Sequence, residues 1–156
     1  MAQIEKRIQE LGIELPPSPV PLHTYIPCNQ SGNLLYLSGQ VCFLNGQLVL
    51  MHEGKLGREV TIEQGQEAAR QCILNCLAAM KGYLGDLDRV VKIVKMLAFV
   101  SSAPDFNQQP VVINAASDLL IEIFGENGKH ARSAIGTNEL PLNTPVEIEL
   151  IVEIRD

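Results

Sequence analysis

The sequence predicts an α+β fold, with a single mixed sheet and two main helices on one face of that sheet. Two long segments repeat apolar residues at helical spacing, while the other apolar segments are short runs or alternate as strands do. Because the order along the chain is strand pair, helix, strand, helix, strand, strand, both helices are expected on the same side. The chain has 156 residues, 46% of them hydrophobic, which is enough to bury the core of one domain.

The first 20 residues are expected to form a short helix and a proline-rich lead-in to this domain. Residues 3–11 place Ile4, Ile8 and Leu11 on one stripe of a helix, and Gly12 ends it. Prolines at positions 16, 17, 19 and 21 then exclude regular structure. We expect this segment to be an appendage ahead of the main domain.

A strand pair is predicted next. Residues 34–38 follow a Ser-Gly-Asn turn, and residues 47–51 follow Asn45-Gly46, a dipeptide typical of tight hairpin turns. The two strands are expected to pair antiparallel with each other.

A long helix is predicted over residues 61–83. Thr61 with Gln64 three residues later forms a capping-box pattern, which is a signal for a helix start. Cys72 and Cys76 lie on its apolar stripe, so this stripe is expected to pack on the sheet.

A central strand is predicted over residues 89–101, which are apolar in both alternations. Asp105 with Gln108 is expected to start a second helix that continues to Phe124. A sheet whose central strand is apolar on both sides cannot leave one face in water. A closed homo-oligomer is therefore expected, with sites between its subunits.

The last two predicted strands carry the candidate binding residues. Arg132 lies near the head of a strand over residues 131–136, and the alternation over residues 146–154 places Glu147 and Glu149 on one side. An arginine and a glutamate are therefore expected to face each other across neighbouring strands. A guanidinium on a rigid strand can donate two parallel hydrogen bonds to a carboxylate, which predicts a binding site for a small acid. A structural salt bridge or a solvent-exposed arginine stays open as the alternative.

Charge and composition exclude several classes of partner. The net charge of -6 and the sequence pI of about 5.0 argue against a general affinity for nucleic acid, which needs a concentrated basic surface. No apolar run approaches the length needed to span a bilayer, so no membrane partner is expected.

The four cysteines are expected to be reduced thiols in a cytoplasmic protein, because the opening residues are charged and lack the apolar region of a secretory signal. Cys72 and Cys76, with His23, His52 and His130 available elsewhere, match no zinc-site spacing. No metal site is predicted.

Several short sequence motifs follow one another in a characteristic order along the chain. They are Tyr25, Gly32-Asn33, Ser38-Gly39-Gln40, Asn75, Asp105-Phe106, Asn114, Ala131-Arg132-Ser133, Leu140-Pro141 and Val146-Glu147-Ile148-Glu149. On these pieces the chain resembles the Rid family, also called the YjgF family, of reactive-intermediate deaminases, and within it a longer subgroup. The resemblance implies a chorismate-mutase-like fold of the bacillary type, a homotrimer, and a site in each cleft between subunits.

The resemblance also implies an activity and its residues. The family hydrolyses 2-imino or enamine acids, such as 2-aminoacrylate and 2-iminobutanoate, to 2-keto acids and ammonia, and it needs no cofactor. Carried over by position, Arg132 binds the substrate carboxylate and acts in catalysis with Glu147. Tyr25, Ser38 and Asn114 match the family's other substrate-binding positions.

Two positions depart from the family pattern. Ala134 stands where the deaminases carry cysteine, and His130 stands where they usually carry proline. A non-catalytic trimer that binds small carboxylates or has a regulatory role therefore stays open as a second hypothesis. Ribonuclease activity, also attached to the family name, is not expected, because the acidic charge and the 4% aromatic content supply neither a phosphate track nor a stacking platform.

Overall fold

The computed structural model describes residues 3–21 and 23–156. These residues contain six strands and three α-helices. The strands are β1 (Cys28–Ser31), β2 (Leu34–Leu37), β3 (Gln40–Val41), β4 (Val90–Ser101), β5 (Ala131–Thr137) and β6 (Val146–Ile154). The helices are α1 (Gln3–Glu10), α2 (Ile62–Leu84) and α3 (Gln109–Phe124).

The strands form a single mixed sheet in the order β1-β2-β6-β4-β5, with β3 also paired to β6. β4 runs antiparallel to β6 on one side and parallel to β5 on the other. The parallel pair needs a crossover, which α3 supplies. The predicted mixed sheet is confirmed, and β4 lies inside it, between β6 and the edge strand β5.

The helices pack on one face of this sheet, as predicted. On β6 the side chains of Val146, Ile148 and Leu150 are at most 1% exposed, and the thiols of Cys72 and Cys76 on α2 contact the β6 backbone above them. We call this side the helix face.

The opposite side of the sheet, which we call the open face, carries half-buried side chains. Its apolar members include Leu97 and Phe99 on β4 and Ile151 on β6, and Ile135 on β5 is 45% exposed. A face of this composition has apolar area that its own chain leaves uncovered.

Helix α2 begins as the sequence predicts. Thr61 Oγ1 accepts a hydrogen bond from the backbone of Gln64 at 3.2 Å, and Gln64 Oε1 accepts one from the backbone of Thr61 at 3.0 Å. Burial raises the pKa of the Cys72 and Cys76 thiols, so both stay protonated and pack as small apolar groups. In the described part of the chain, no helix combines the length and apolar character that crossing a bilayer requires.

Helix α3 begins later than predicted, so the proposed capping pair is wrong. Asp105 has φ +68° and belongs to a turn, in which the Phe106 backbone donates to Ala103. Gln108 is the N-cap but makes no capping hydrogen bond through its side chain. The helix ends at Gly125 with φ +62°, as expected for a glycine after a helix.

The predicted pairing of residues 34–38 with residues 47–51 is also wrong. Strand β2 pairs with β1 and β6, and within 47–51 only Leu50 makes a bridge, to Phe43. The turn at Asn45-Gly46 does form, with φ +51° and +70°. The tight turn after Ser31 brings β1 alongside β2, so β2 has both neighbours without the later segment.

Helix α1 is not an appendage, contrary to the prediction. Ile8 is 3% exposed and belongs to the main core. The backbone amides of Gln3 and Ile4 donate to the Asp88 carboxylate at 2.8 Å, and these hydrogen bonds lower the pKa of Asp88. The apolar stripe of the helix needs cover, and the main core supplies it, because Ile4 and Leu11 pack against that core beside Ile8.

Candidate functional site

Arg132 projects from β5 onto the helix face, beside α3. Its partner in the register on β4 is Met96, which is fully buried under the helices. Arg132 Nη1 donates to Asn114 Oδ1 at 3.0 Å and to Ser117 Oγ at 3.1 Å. Within residues 3–21 and 23–156 no carboxylate lies within salt-bridge distance of Arg132. Its positive charge is therefore held by neutral groups.

A chain of hydrogen bonds extends from Arg132 through Ser117 to His130. Ser117 Oγ lies 2.9 Å from His130 Nε2, and His130 Nδ1 lies 2.6 Å from the carbonyl oxygen of Gly128. A carbonyl only accepts, so Nδ1 carries a hydrogen. In the neutral ring Nε2 then accepts from the Ser117 hydroxyl, whose oxygen accepts from Arg132. The chain orients the guanidinium from one side.

Ser117 was not among the residues expected in the site. The signal that points to it is its spacing, because Ser117 lies three residues after Asn114 and helical residues three apart share a face. Once α3 packs beside β5, the same face that presents Asn114 to Arg132 also presents Ser117.

Glu147 projects onto the open face. It pairs in register with Phe99 on β4 and alternates with the buried residues Val146 and Ile148 on β6. Burial, with a contribution from the like charge of Glu149, raises the pKa of the Glu147 carboxyl. Glu147 thus holds its proton more tightly than an exposed glutamate does.

A cavity of about 500 Å³ lies beside Glu147, and Tyr25 is also on its wall. Tyr25 is 54% exposed, which leaves much of its ring open to a ligand or to another chain. Most of the remaining wall comes from the proline-rich lead-in, the segment around β3 and the turn at Pro141-Leu142, and Asn75 of α2 also contributes to it.

Ser38 lies next to this cavity but does not line it. Its hydroxyl donates to the carbonyl of Ile26 at 2.6 Å, and its backbone amide donates to the carbonyl of Pro27 at 2.9 Å. Ser38 therefore holds the segment that carries Tyr25, and its hydroxyl hydrogen is already used.

The expectation that Arg132 and Glu147 face each other across neighbouring strands is wrong. β4 lies between β5 and β6, and the register places the two side chains on opposite faces of the sheet. Within one chain the predicted residues form two groups, Arg132 with Asn114 on the helix face and Tyr25 with Glu147 at the cavity.

Metal-binding side chains are scattered over the described part of the chain. No three His, Cys, Asp or Glu residues in that part come together in a group that could hold a metal ion. His52 and Glu67 form an isolated pair, with 3.0 Å between Nε2 and Oε2.

Comparison with known proteins extends over nearly the whole chain. A family model described as "YjgF/chorismate mutase-like, putative endoribonuclease" matches residues 5–154. Protein TCP17 of Trypanosoma cruzi is 40% identical over 155 residues, which cover 99% of this chain and 96% of TCP17.

Two further relatives are similar over most of their length. The 2-iminobutanoate/2-iminopropanoate deaminase of Dermatophagoides farinae is 32% identical over 143 residues, which cover 92% of this chain and 95% of the deaminase. The crystal structure of the protein Atu1372 with unknown function from Agrobacterium tumefaciens aligns with a TM-score of 0.89 at 44% identity, and the alignment covers 97% of this chain and 92% of that one. The matched residues include both groups of candidate site residues.

Proposed function

Because the chain belongs to the Rid family, whose matching model is described as YjgF/chorismate mutase-like, we propose that it is a metal-free hydrolytic deaminase. Its substrates are 2-imino and enamine acids, and its products are 2-keto acids and ammonia. The observation that carries the proposal is Arg132, a cation oriented by Asn114 and Ser117 without an acidic partner among the described residues.

Arg132 is suited to binding a carboxylate. Of the three guanidinium nitrogens of Arg132, only Nη1 has hydrogen-bond partners among the described residues. The edge formed by Nε and Nη2 is therefore free to donate two hydrogen bonds to a carboxylate. Asn114 and Ser117 are neutral, so the charge of Arg132 is not cancelled before the substrate arrives. A rigid strand and two side chains of α3 hold the guanidinium in one orientation. A substrate that binds to it is therefore held in one orientation as well.

The proposed active site is built from two subunits of a homotrimer. Arg132 and Glu147 of one chain lie on opposite faces of the sheet and cannot both contact one small acid. A second copy that covers the open face brings its own Arg132 toward the cavity that holds Glu147 and Tyr25. The half-buried apolar side chains of that face, such as Leu97 and Phe99, support such an assembly.

Hydrolysis then needs one water molecule and a series of proton transfers through Glu147. Water adds to carbon two of the protonated imine, and Glu147 as a carboxylate takes the proton that water loses. Glu147 returns that proton to the nitrogen of the carbinolamine. As the C–N bond breaks and ammonia leaves, Glu147 takes the proton of the carbinolamine hydroxyl, so that the 2-keto acid remains. The departing ammonia takes this proton from Glu147 as ammonium, which regenerates the carboxylate. The direction of the pKa shift of Glu147 suits both roles, because a carboxyl whose pKa moves upward toward the working pH becomes a more effective acid-base catalyst.

The test is release of ammonia and 2-keto acid from a freshly generated 2-imino acid, measured with a chelator present. Wild type is expected to accelerate release, and Arg132→Ala is expected to abolish the acceleration. Arg132→Lys is the matched variant, because it keeps the charge but loses the planar fork, and it is expected to retain only a small part of the activity. Equal rates for wild type and Arg132→Ala would show that the protein is not this deaminase.

A non-catalytic carboxylate-binding trimer is the second candidate, and Ala134 favours it. Ala134 lies two residues after Arg132, packs against the core and brings no polar atom to the site, whereas the deaminases that the chain resembles carry cysteine there. Calorimetry with 2-oxobutanoate separates the candidates. Saturable binding that depends on Arg132, without turnover of any 2-imino acid, would favour the binding protein.

A further inference from the structure

The cavity beside Glu147 is much larger than the shortest 2-imino acids require. Its volume of about 500 Å³ falls in the range of small-molecule sites, roughly 300–1,000 Å³. A three-carbon acid such as 2-aminoacrylate would fill only a small part of it. The remaining space lies next to the proposed reaction centre.

The wall of this space is mainly apolar. Val20 is 80% exposed, Leu48 is 67% exposed and Leu142 is 63% exposed, and all three line the cavity. Side chains of this kind gain free energy when a ligand removes their surface from water. Their clustering around one cavity distinguishes it from the scattered apolar residues of an ordinary surface.

Asn75, the most buried polar residue of the wall, has hydrogen-bond partners within the protein. Asn75 donates through Nδ2 to the carbonyls of Val41 at 2.8 Å and Phe43 at 3.0 Å, and its Oδ1 accepts from Gln71 at 3.2 Å. Asn75 therefore holds the β3 segment in place. Of the other polar residues that line the cavity, Ser18 and Tyr25 are exposed and Gln40 is half-buried, so apolar side chains make up most of the wall.

The proline-rich lead-in forms one wall of the cavity and is held in place by packing against the rest of the chain. Pro17 packs over Gly46, where a Cβ would lie 3.4 Å from the proline ring, and Ser18 packs against Gly82 of α2, where a Cβ would overlap the serine hydroxyl. The prolines restrict the backbone of this segment. A pocket whose walls are ordered in advance loses little conformational entropy when a ligand enters.

We infer that this cavity receives the substrate's side chain, so that the preferred substrates are 2-imino acids with branched aliphatic or aromatic side chains. The inference rests on the proposed deaminase function. Glu147 stands at the reacting carbon, and the side chain extends from there toward Val20, Leu48 and Leu142.

The first test compares imines generated freshly from 2-aminobutanoate, norvaline, leucine and phenylalanine. The ratio kcat/KM is expected to rise about fourfold for each methylene buried. Ratios that stay flat or fall with side-chain length would overturn the inference while leaving the deaminase function intact. If none of the imines is hydrolysed, the deaminase function itself fails.

The second test changes the wall. Leu48→Asn is expected to lower kcat/KM severalfold more for the phenylalanine-derived imine than for the one derived from 2-aminobutanoate. Val49→Asn is the matched control, because Val49 is the next residue, is 54% exposed and does not line the cavity. An equal loss for both substrates in Leu48→Asn, or the same selectivity change in Val49→Asn, would contradict the inference.

Discussion

The carboxylate of Glu147 occupies the space that any side chain at Gly39 would fill. A Cβ built on Gly39 would overlap Glu147 Oε1. Gly39 lies between β2 and β3, directly after Ser38, so the end of β2 decides where the catalytic candidate on β6 can point. The glycine is required here for space.

The substitution Gly39→Ala is expected to displace the Glu147 carboxylate and to lower kcat by about tenfold to a hundredfold, because misplacing a catalytic group by about an ångström has an effect of that size. Steady-state kinetics on a 2-imino acid measure the loss. In a Glu147→Ala background the same substitution is expected to have little further effect. A full additional loss in that background would mean that Gly39 acts through something other than Glu147.

Mixing two inactive variants is expected to restore activity. Arg132 and Glu147 lie on opposite faces, so a site shared between subunits takes them from different chains. When Arg132→Ala and Glu147→Gln chains assemble at random in equal amounts, about a quarter of the sites hold both native residues. Activity near that fraction of wild type, measured after co-expression, is the expected result. Mixed oligomers without activity would contradict a shared site.

Ser117→Ala is expected to weaken substrate binding more than catalysis. The substitution removes a neutral acceptor from Arg132 and breaks the link to His130, and loss of one such hydrogen bond is worth about 1 kcal/mol, or roughly fivefold in affinity. KM for a 2-imino acid and the dissociation constant of 2-oxobutanoate are expected to rise by that factor. Ser117→Thr keeps the hydroxyl and is expected to retain most of the affinity. A fall in kcat alone would argue against a positioning role.

The raised pKa of Glu147 predicts a pH-dependent stability. The folded state holds the carboxyl proton at a higher pH than the unfolded chain does, so stability falls as pH rises above the ordinary value of 4.5 toward the raised pKa. Above the raised pKa the loss is complete. Glu147→Gln removes this dependence and is expected to be more stable than wild type at pH 7, with the difference disappearing toward pH 4.

Urea unfolding at fixed protomer concentration between pH 4 and pH 8 measures this difference. Glu153→Gln is the control on the same strand and face, because Glu153 lies 3.5 Å from Lys92 and its substitution removes an ion pair. No gain in stability is expected for the control. A stabilisation by Glu147→Gln that does not change with pH would contradict the assignment.

Local patterns in the sequence predicted much of the fold. The alternation from Val146 to Ile154, the capping box at Thr61 and the doubly apolar β4 each depend on residues close together in the chain. Such patterns persist in the structure because periods of two and of about 3.6 residues decide which side chains share a face.

The local prediction of a capping pair at Asp105 and Gln108 failed, but two other wrong predictions depended on competition between distant segments. Residues 47–51 have a suitable turn before them, but β2 already has a neighbour on each side, β1 and β6. Helix α1 docks because Asp88, far away in the chain, accepts hydrogen bonds from its first amides.

For the candidate site, the sequence by itself determined the residue types and the faces of the elements that carry them. Only the tertiary structure decided which side chains meet. The insertion of β4 between β5 and β6 separated Arg132 from Glu147, and the packing of α3 beside β5 added Ser117. The physical reason is that periodicity is a property of neighbouring residues, whereas strand order and helix docking depend on burial summed over the whole chain.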